Sequence, residues 1–163
     1  MSYYIINIES LTEKTLKGVI LMIGIIVGTH GDLSKELVKS AEMIYGEQKN
    51  IGCVTFKPGE GIENLLEKYT KLIQELNCTE GILVMVDLFG GSPFNAASMI
   101  ALEKEDMEVI TGVNMPMLLE VFASRDISSS LSELLEIAKN GGKNAIKQLE
   151  KQAGRNLDDD DIL

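Results

Sequence analysis

Two polar residues that could act in one chemical step follow two apolar runs of the sequence. His30, the only histidine in the chain, lies in a polar turn after the apolar run 23–27, and Asp87 directly follows the apolar run 81–86. A carboxylate that accepts a hydrogen bond from Nδ1–H of an imidazole fixes its tautomer and leaves the Nε2 lone pair free. We therefore expect Nε2 of His30 to act as a nucleophile and Asp87 to stabilise the charged ring.

Each residue also has an ordinary interpretation. A single histidine in an arbitrary chain is more often a packed or surface residue than a functional one. An aspartate at the end of a strand is as typical of a turn or a helix cap as it is of a functional site. The functional interpretation therefore depends on whether another part of the chain supplies a site for the same chemistry.

The turn Gly90-Gly91-Ser92-Pro93 supplies such a site. Two glycines let the backbone approach a ligand closely, and Pro93 suits the first position of a helix. Ser92 is then expected to cap the helix, whose free N–H groups attract an anion. No Gly-Lys-Ser/Thr follows, so the turn is not a P-loop, and taken alone it is typical of an ordinary loop-to-helix connection. Together with the histidine and the aspartate it predicts a phosphohistidine site, which needs no metal because there is no nucleotide to clamp.

Strands and helices must bring these three parts together. We predict strands over 23–27, 51–56, 81–87 and 108–113, and helices over 34–45, 61–76, 93–102, 117–123 and 130–139. Regular alternation of strand and helix predicts an α/β fold, a doubly wound open parallel sheet of order 2-1-3-4 with helices on both faces. The first and third strands are neighbours at the switch point of that sheet, so His30 and Asp87 should meet in one crevice.

The ends of two helices follow from residue types. Asp32 or Ser34 is expected to cap the helix over 34–45. The pair Gly141-Gly142 is expected to break the last helix.

Composition limits the classes of partner. The 163 residues carry a formal net charge of −10, which argues against nucleic acid or an anionic membrane as a partner. Cys53 and Cys78 lack metal-ligand spacing and are typical of reduced thiols in a cytosolic protein. The longest apolar stretch, 19–27, is shorter than the ~20 residues needed to span a bilayer. We expect a cytoplasmic protein without direct membrane insertion.

The chain is expected to hold one folded domain, residues 22–153. Residues 1–21 are interpreted as an N-terminal extension outside the fold, with Met22 as a natural start; the alternative is an N-terminal helix around 10–17. The acidic segment 154–163 is interpreted as a solvated tail.

Several segments between Met22 and about Lys147 share a specific pattern. They are IIVGTHG at 25–31, AEM and GEQ within 41–48, FKPGE at 56–60, VDLFGGSPFNAAS at 86–98, and GVNMPML at 112–118. In these residues the chain resembles the IIA component of the mannose family of the bacterial phosphoenolpyruvate:sugar phosphotransferase system (PTS).

The resemblance implies a phosphocarrier. His30 would take a phosphoryl group from phospho-HPr and pass it to a separate IIB protein, upstream of the membrane components IIC and IID. Asp87 is implied as the hydrogen-bonding partner of His30, and Ser92 as a hydroxyl that contacts the phosphoryl group. No cofactor or metal is implied. The glycines expected around the phosphoryl group are Gly31, Gly90 and Gly91.

The resemblance also implies a homodimer that exchanges a C-terminal antiparallel edge strand, for which 144–149 is the best candidate. Some members carry a Trp soon after the histidine and another after the aspartate, where this chain has Asp32 and Phe89. These two residues and Phe56 are expected to form the rim that faces the partner proteins.

Two alternatives stay open and one fails. The phosphotransferase subunit of a dihydroxyacetone kinase has similar histidine chemistry but lacks the Gly-Gly-Ser-Pro-Phe-Asn turn. A regulatory module would use a phosphorylated His30 to report sugar supply, which the sequence does not separate from transport. A response-regulator receiver domain fails because it needs carboxylates after the first strand, where this chain has His30.

Overall fold

The computed structural model describes residues 22–149 except 77 and 129, so the extension 1–21 and the tail 154–163 lie outside the described residues. The strands are β1 Gly24–His30, β2 Ile51–Phe56, β3 Ile82–Val86 and β4 Met107–Thr111. The helices are α1 Leu33–Tyr45, α2 Ile62–Glu75, α3 Ser92–Ala101, α4 Met115–Ser124 and α5 Leu131–Asn144.

The strands form one parallel sheet in the order β2-β1-β3-β4, which confirms the predicted topology. Gly28 on β1 pairs with Val54 on β2 and with Val86 on β3. His30, the last residue of β1, pairs with Phe56, the last residue of β2. The carboxyl ends of these three strands therefore lie side by side at one edge of the sheet.

Two apolar layers cover the two faces of the sheet. Because side chains alternate along a strand, Val27 points to the layer formed with α1, α4 and α5, and Ile26 points to the layer formed with α2 and α3. Strands β1 and β3 are buried on both faces, which explains why each is a continuous apolar run. Among the described residues, no helix combines the length and apolar character that crossing a membrane requires.

The predicted break at Gly141-Gly142 is wrong, because α5 continues through both glycines to Asn144. A β-carbon added to Gly142 would lie 2.6 Å from Cε of Met117, and one added to Gly141 would lie 2.6 Å from Cγ of Glu120. The glycines let α5 pack closely on α4, and this packing offsets their cost of roughly 1 kcal/mol each in a helix.

Of the two residues predicted to cap α1, Asp32 is the N-cap and Ser34 is not. Asp32 precedes the helix but its side chain makes no capping hydrogen bond. Ser34 is buried instead: its N–H donates to Oγ1 of Thr29 at 2.7 Å and its hydroxyl donates to the Val54 carbonyl at 3.0 Å. Ser34 therefore ties the start of α1 to β1 and β2.

Within the described residues, 145–149 belong to no strand, and Ile146 and Leu149 are 83% and 81% exposed. The exchanged edge strand at 144–149 therefore stays a prediction.

Candidate active site

The structure brings His30 and Asp87 together at the carboxyl edge of the sheet. His30 ends β1, and Asp87 directly follows β3, the strand paired with β1. Nδ1 of the imidazole lies 2.9 Å from Oδ2 of Asp87, and the backbone N–H of His30 donates to the same oxygen at 2.9 Å. These two contacts to one oxygen of Asp87 fix the orientation of the His30 ring relative to its own backbone.

The position of the carboxylate determines which ring nitrogen is free. A carboxylate accepts hydrogen bonds, so Nδ1 carries the proton and Nε2 keeps its lone pair. The Asp87 side chain is 17% exposed and that of His30 is 42% exposed, so the imidazole is the more accessible of the two groups. Oδ1 of Asp87 is buried and has no hydrogen-bond partner among the described residues.

An aromatic ring and a glycine border the imidazole. Phe56 meets the His30 ring edge-on, with ring centroids 5.6 Å apart and an interplanar angle of 75°. A β-carbon added to Gly91 would lie 2.8 Å from Cε1 and 3.4 Å from Nε2 of His30. The backbone at the start of α3 therefore approaches the ring on the side of its free nitrogen.

The start of α3 differs in one respect from the prediction. Gly91, not Ser92, is the N-cap, and Ser92 and Pro93 are the first two helical residues. The reason is that Gly91 carries the extended backbone that precedes the helix, and its carbonyl accepts from Asn95 N–H at 2.9 Å. The hydroxyl of Ser92 makes no capping bond and can serve a ligand.

Backbone donors near the ring come from the first turn of α3. The N–H groups of two glycines near the ring are already used within the protein. Gly31 donates to the Phe56 carbonyl at 2.9 Å, and Gly91 donates to the Leu88 carbonyl at 3.2 Å. Ser92 and Phe94 lie in the first turn, where N–H groups have no acceptor within the helix. Anions bind at such helix ends. The Phe94 amide is not among the residues predicted from the sequence, although its place directly after a proline at a helix start is a signal for it.

Gly31 and Gly90 allow backbone conformations that other residues rarely adopt. Both have positive φ, +59° and +74°, and nothing lies within 4 Å of a β-carbon added to either residue. A larger residue at either position would strain the backbone, but its β-carbon would not collide with neighbouring atoms.

The predicted rim residues lie at the carboxyl ends of three neighbouring strands: Asp32 follows β1, Phe56 ends β2 and Phe89 follows β3. Asp32 forms an ion pair with Lys57, and the hydrogen bond from Lys57 lowers the pKa of the Asp32 carboxyl. The Phe89 side chain is exposed and packs on Phe94 with ring centroids 4.8 Å apart. Phe56 is half-buried against His30. Lys57, which directly follows β2 at the same edge of the sheet, is not among the residues predicted from the sequence.

Among the described residues, no group of three or more His, Cys, Asp and Glu side chains could hold a metal ion.

Comparison with known proteins gives consistent matches. The family model described as PTS system fructose IIA component matches residues 24–139. The chain is 48% identical over 129 residues to the mannose-specific EIIAB component of Escherichia coli K12, which covers 79% of this chain and 40% of that protein. It is 36% identical over 140 residues to the fructose-specific EIIA component of Bacillus subtilis, covering 84% of this chain and 96% of that protein. Among solved structures, the EIIA component from Streptococcus agalactiae superposes with a TM-score of 0.72 at 28% identity, covering 78% of this chain and 97% of that one.

Proposed function

Because the chain belongs to the family of PTS fructose IIA components, we propose that it is a phosphocarrier that receives a phosphoryl group on Nε2 of His30. One observation carries the proposal: Nδ1 of His30 lies 2.9 Å from Asp87, so Nε2 is left free beside the start of α3. The donor is phospho-HPr and the acceptor is a separate IIB protein, which serves the membrane components IIC and IID. This role implies a cytoplasmic location.

The proposed transfer step is a direct displacement at phosphorus. The Nε2 lone pair attacks phosphorus in line, and the bond between phosphorus and the donor breaks as the Nε2–phosphorus bond forms. Nδ1 keeps its proton, and Oδ2 of Asp87 stabilises the positive charge of the phosphorylated ring. The amides of Ser92 and Phe94 and the Ser92 hydroxyl hold the phosphoryl oxygens. The step requires no cofactor, because the donor supplies a phosphoryl group that is already activated.

The rim of Asp32, Phe56 and Phe89 is proposed as the surface that meets HPr and the IIB protein. Its exposed phenyl ring at Phe89 is a typical anchor in a protein interface.

We also propose a homodimer. Within the described residues β4 pairs only with β3, so its other edge is open, and a groove of about 480 Å³ lies between that edge and α5. Thr111, Leu135 and Ile146 contribute to its lining. An open edge is a template for a strand from a second copy, and residues 144–149 are the candidate strand.

Phosphorylation by the purified PTS proteins tests the function. The protein is incubated with phosphoenolpyruvate, Enzyme I and HPr, and the label is then exposed to acid and to base. We expect one phosphate per chain, labile in acid and stable in base, and none in His30→Ala. A label retained in His30→Ala would remove the proposed role of that residue. Onward transfer of the label to a IIB protein distinguishes transport from a purely regulatory module.

A further inference from the structure

Tyr69 contacts both structural elements of the site, the strand that ends in His30 and the first turn of α3. It lies in α2, is fully buried, and belongs to the apolar layer between the sheet and helices α2 and α3. Its hydroxyl donates a hydrogen bond to the Pro93 carbonyl at 3.2 Å, in the first turn of α3. The same hydroxyl lies against Gly28, where an added β-carbon would overlap it.

Both contacts of the Tyr69 hydroxyl are made with residues close in sequence to His30 or to the backbone that borders its ring. Gly28 precedes His30 by two residues on β1, so the two residues face the same side of the sheet. Pro93 lies two residues after Gly91, whose backbone borders the imidazole. The tyrosine hydroxyl therefore lies between the strand that carries the nucleophile and the helix start that carries the anion-binding amides.

The surroundings of Tyr69 keep this contact in place. Neighbours in its layer are apolar, among them Ile26, Leu65 and Ala97, and a hydrogen bond in such surroundings has no competition from water. Burial, and next the negative charge of Asp87, raise the pKa of the Tyr69 hydroxyl. The hydroxyl therefore remains a proton donor at neutral pH.

We infer that Tyr69 is a positioning residue that sets the distance between the His30 ring and the first turn of α3. This inference rests on the proposed function, because the distance matters only if a phosphoryl group has to fit between Nε2 and the amides of Ser92 and Phe94. A displacement on the scale of 1 Å is enough to reduce an in-line transfer by about a hundredfold.

Tyr69→Phe removes the hydroxyl and keeps the ring. Single-turnover transfer from phospho-HPr is measured over a range of donor concentrations. We expect the rate at saturation to fall about tenfold, through misplacement of the α3 amides. The donor concentration that gives half of that rate should stay unchanged, because Tyr69 is fully buried and presents no surface to the donor.

Leu65→Val is the matched control, since it trims another buried side chain of α2 in the same layer without removing a polar atom. It should lower the melting temperature but leave the rate at saturation unchanged. A wild-type rate in Tyr69→Phe, or an equal loss of rate in Leu65→Val, would overturn the inference.

Two further measurements cover the remaining outcomes. Gly28→Ala keeps the hydroxyl but displaces it, so a folded Gly28→Ala protein that transfers at the wild-type rate would contradict the inference. Backbone NMR needs no phosphoryl transfer: the amide resonances of Gly91 and Ser92 should shift in Tyr69→Phe and stay in place in Leu65→Val. If the wild-type protein takes no label, the proposed function fails, whereas unshifted resonances in Tyr69→Phe refute the role of Tyr69.

Discussion

Gly91 lies so close to His30 that a β-carbon on it would be 2.8 Å from Cε1 of the imidazole. The glycine has an ordinary backbone conformation, with φ of −70°. Its small size, and not its flexibility, is therefore what the site requires. The absence of a side chain at this position leaves room for the ring and for a group bound to Nε2.

Gly91→Ala should reduce phosphorylation of His30 by roughly a hundredfold, because the methyl group pushes the ring away from its in-line position. Quenched-flow labelling with phospho-HPr measures the rate. Gly61→Ala is a suitable control, since a β-carbon at Gly61 has no neighbour closer than 4.0 Å. Equal rates in the wild type and Gly91→Ala would show that the ring has space to move aside.

Asp87→Asn should slow transfer by roughly a hundredfold while the fold persists. The amide oxygen can still accept from Nδ1–H, but it has no charge to stabilise the phosphorylated imidazolium. The transfer rate and the circular dichroism spectrum check both parts of this prediction. Asp106→Asn, an exposed change in the turn before β4, serves as the control. Unimpaired transfer in Asp87→Asn would mean that the carboxylate charge has no part in the reaction.

Phe89→Ala should weaken docking and spare chemistry. Phe89 is 75% exposed at the rim, and truncation of an aromatic anchor typically costs an interface about tenfold in affinity. The half-saturating concentration of phospho-HPr should rise by about that factor, with an unchanged rate at saturation. Leu102→Ala, at the opposite end of α3, should change neither quantity. A fall in the saturating rate alone would place Phe89 in the reaction and not in docking.

Glu60→Gln should change how stability depends on pH. The hydrogen bond from Lys68, followed by that from the Lys57 amide, lowers the pKa of the Glu60 carboxyl from its ordinary value of 4.5. A lowered pKa in the folded state stabilises the protein above the unfolded pKa, and this stability is lost as the pH falls through the folded pKa.

The measurement is the urea midpoint between about pH 3 and pH 7. The wild type should lose more stability than Glu60→Gln as the pH falls below 4.5. Glu67→Gln, an exposed change on α2, should behave as the wild type does. Parallel curves for the wild type and Glu60→Gln would refute the contribution of this ion pair.

Much of the fold follows from the sequence, because the central strands β1 and β3 are buried on both faces and therefore appear as apolar runs. The alternation of strand and helix predicts a parallel sheet, and the predicted order 2-1-3-4, which makes β1 and β3 neighbours, accounts for the meeting of His30 with Asp87. The resemblance to mannose-family IIA components is confirmed by the family match over 24–139. The roles of individual site residues stay predictions.

The errors arise where tertiary contacts override local preference. Gly141 and Gly142 are helix breakers by propensity, but close packing on α4 keeps them helical. Ser34 has a typical capping side chain that is instead drawn into buried hydrogen bonds. The contact between Tyr69 and Pro93 joins residues 24 positions apart, and no local pattern announces it.

The overlap between the Tyr69 hydroxyl and any side chain at position 28 has an evolutionary consequence. The restriction has one direction: a larger residue at 28 is compatible only with a shorter one at 69, whereas position 69 can become shorter while Gly28 stays. In a randomised library selected for growth on a PTS sugar, replacements of Gly28 should be recovered together with a shorter residue at 69, and a single replacement of Gly28 should be rare among survivors.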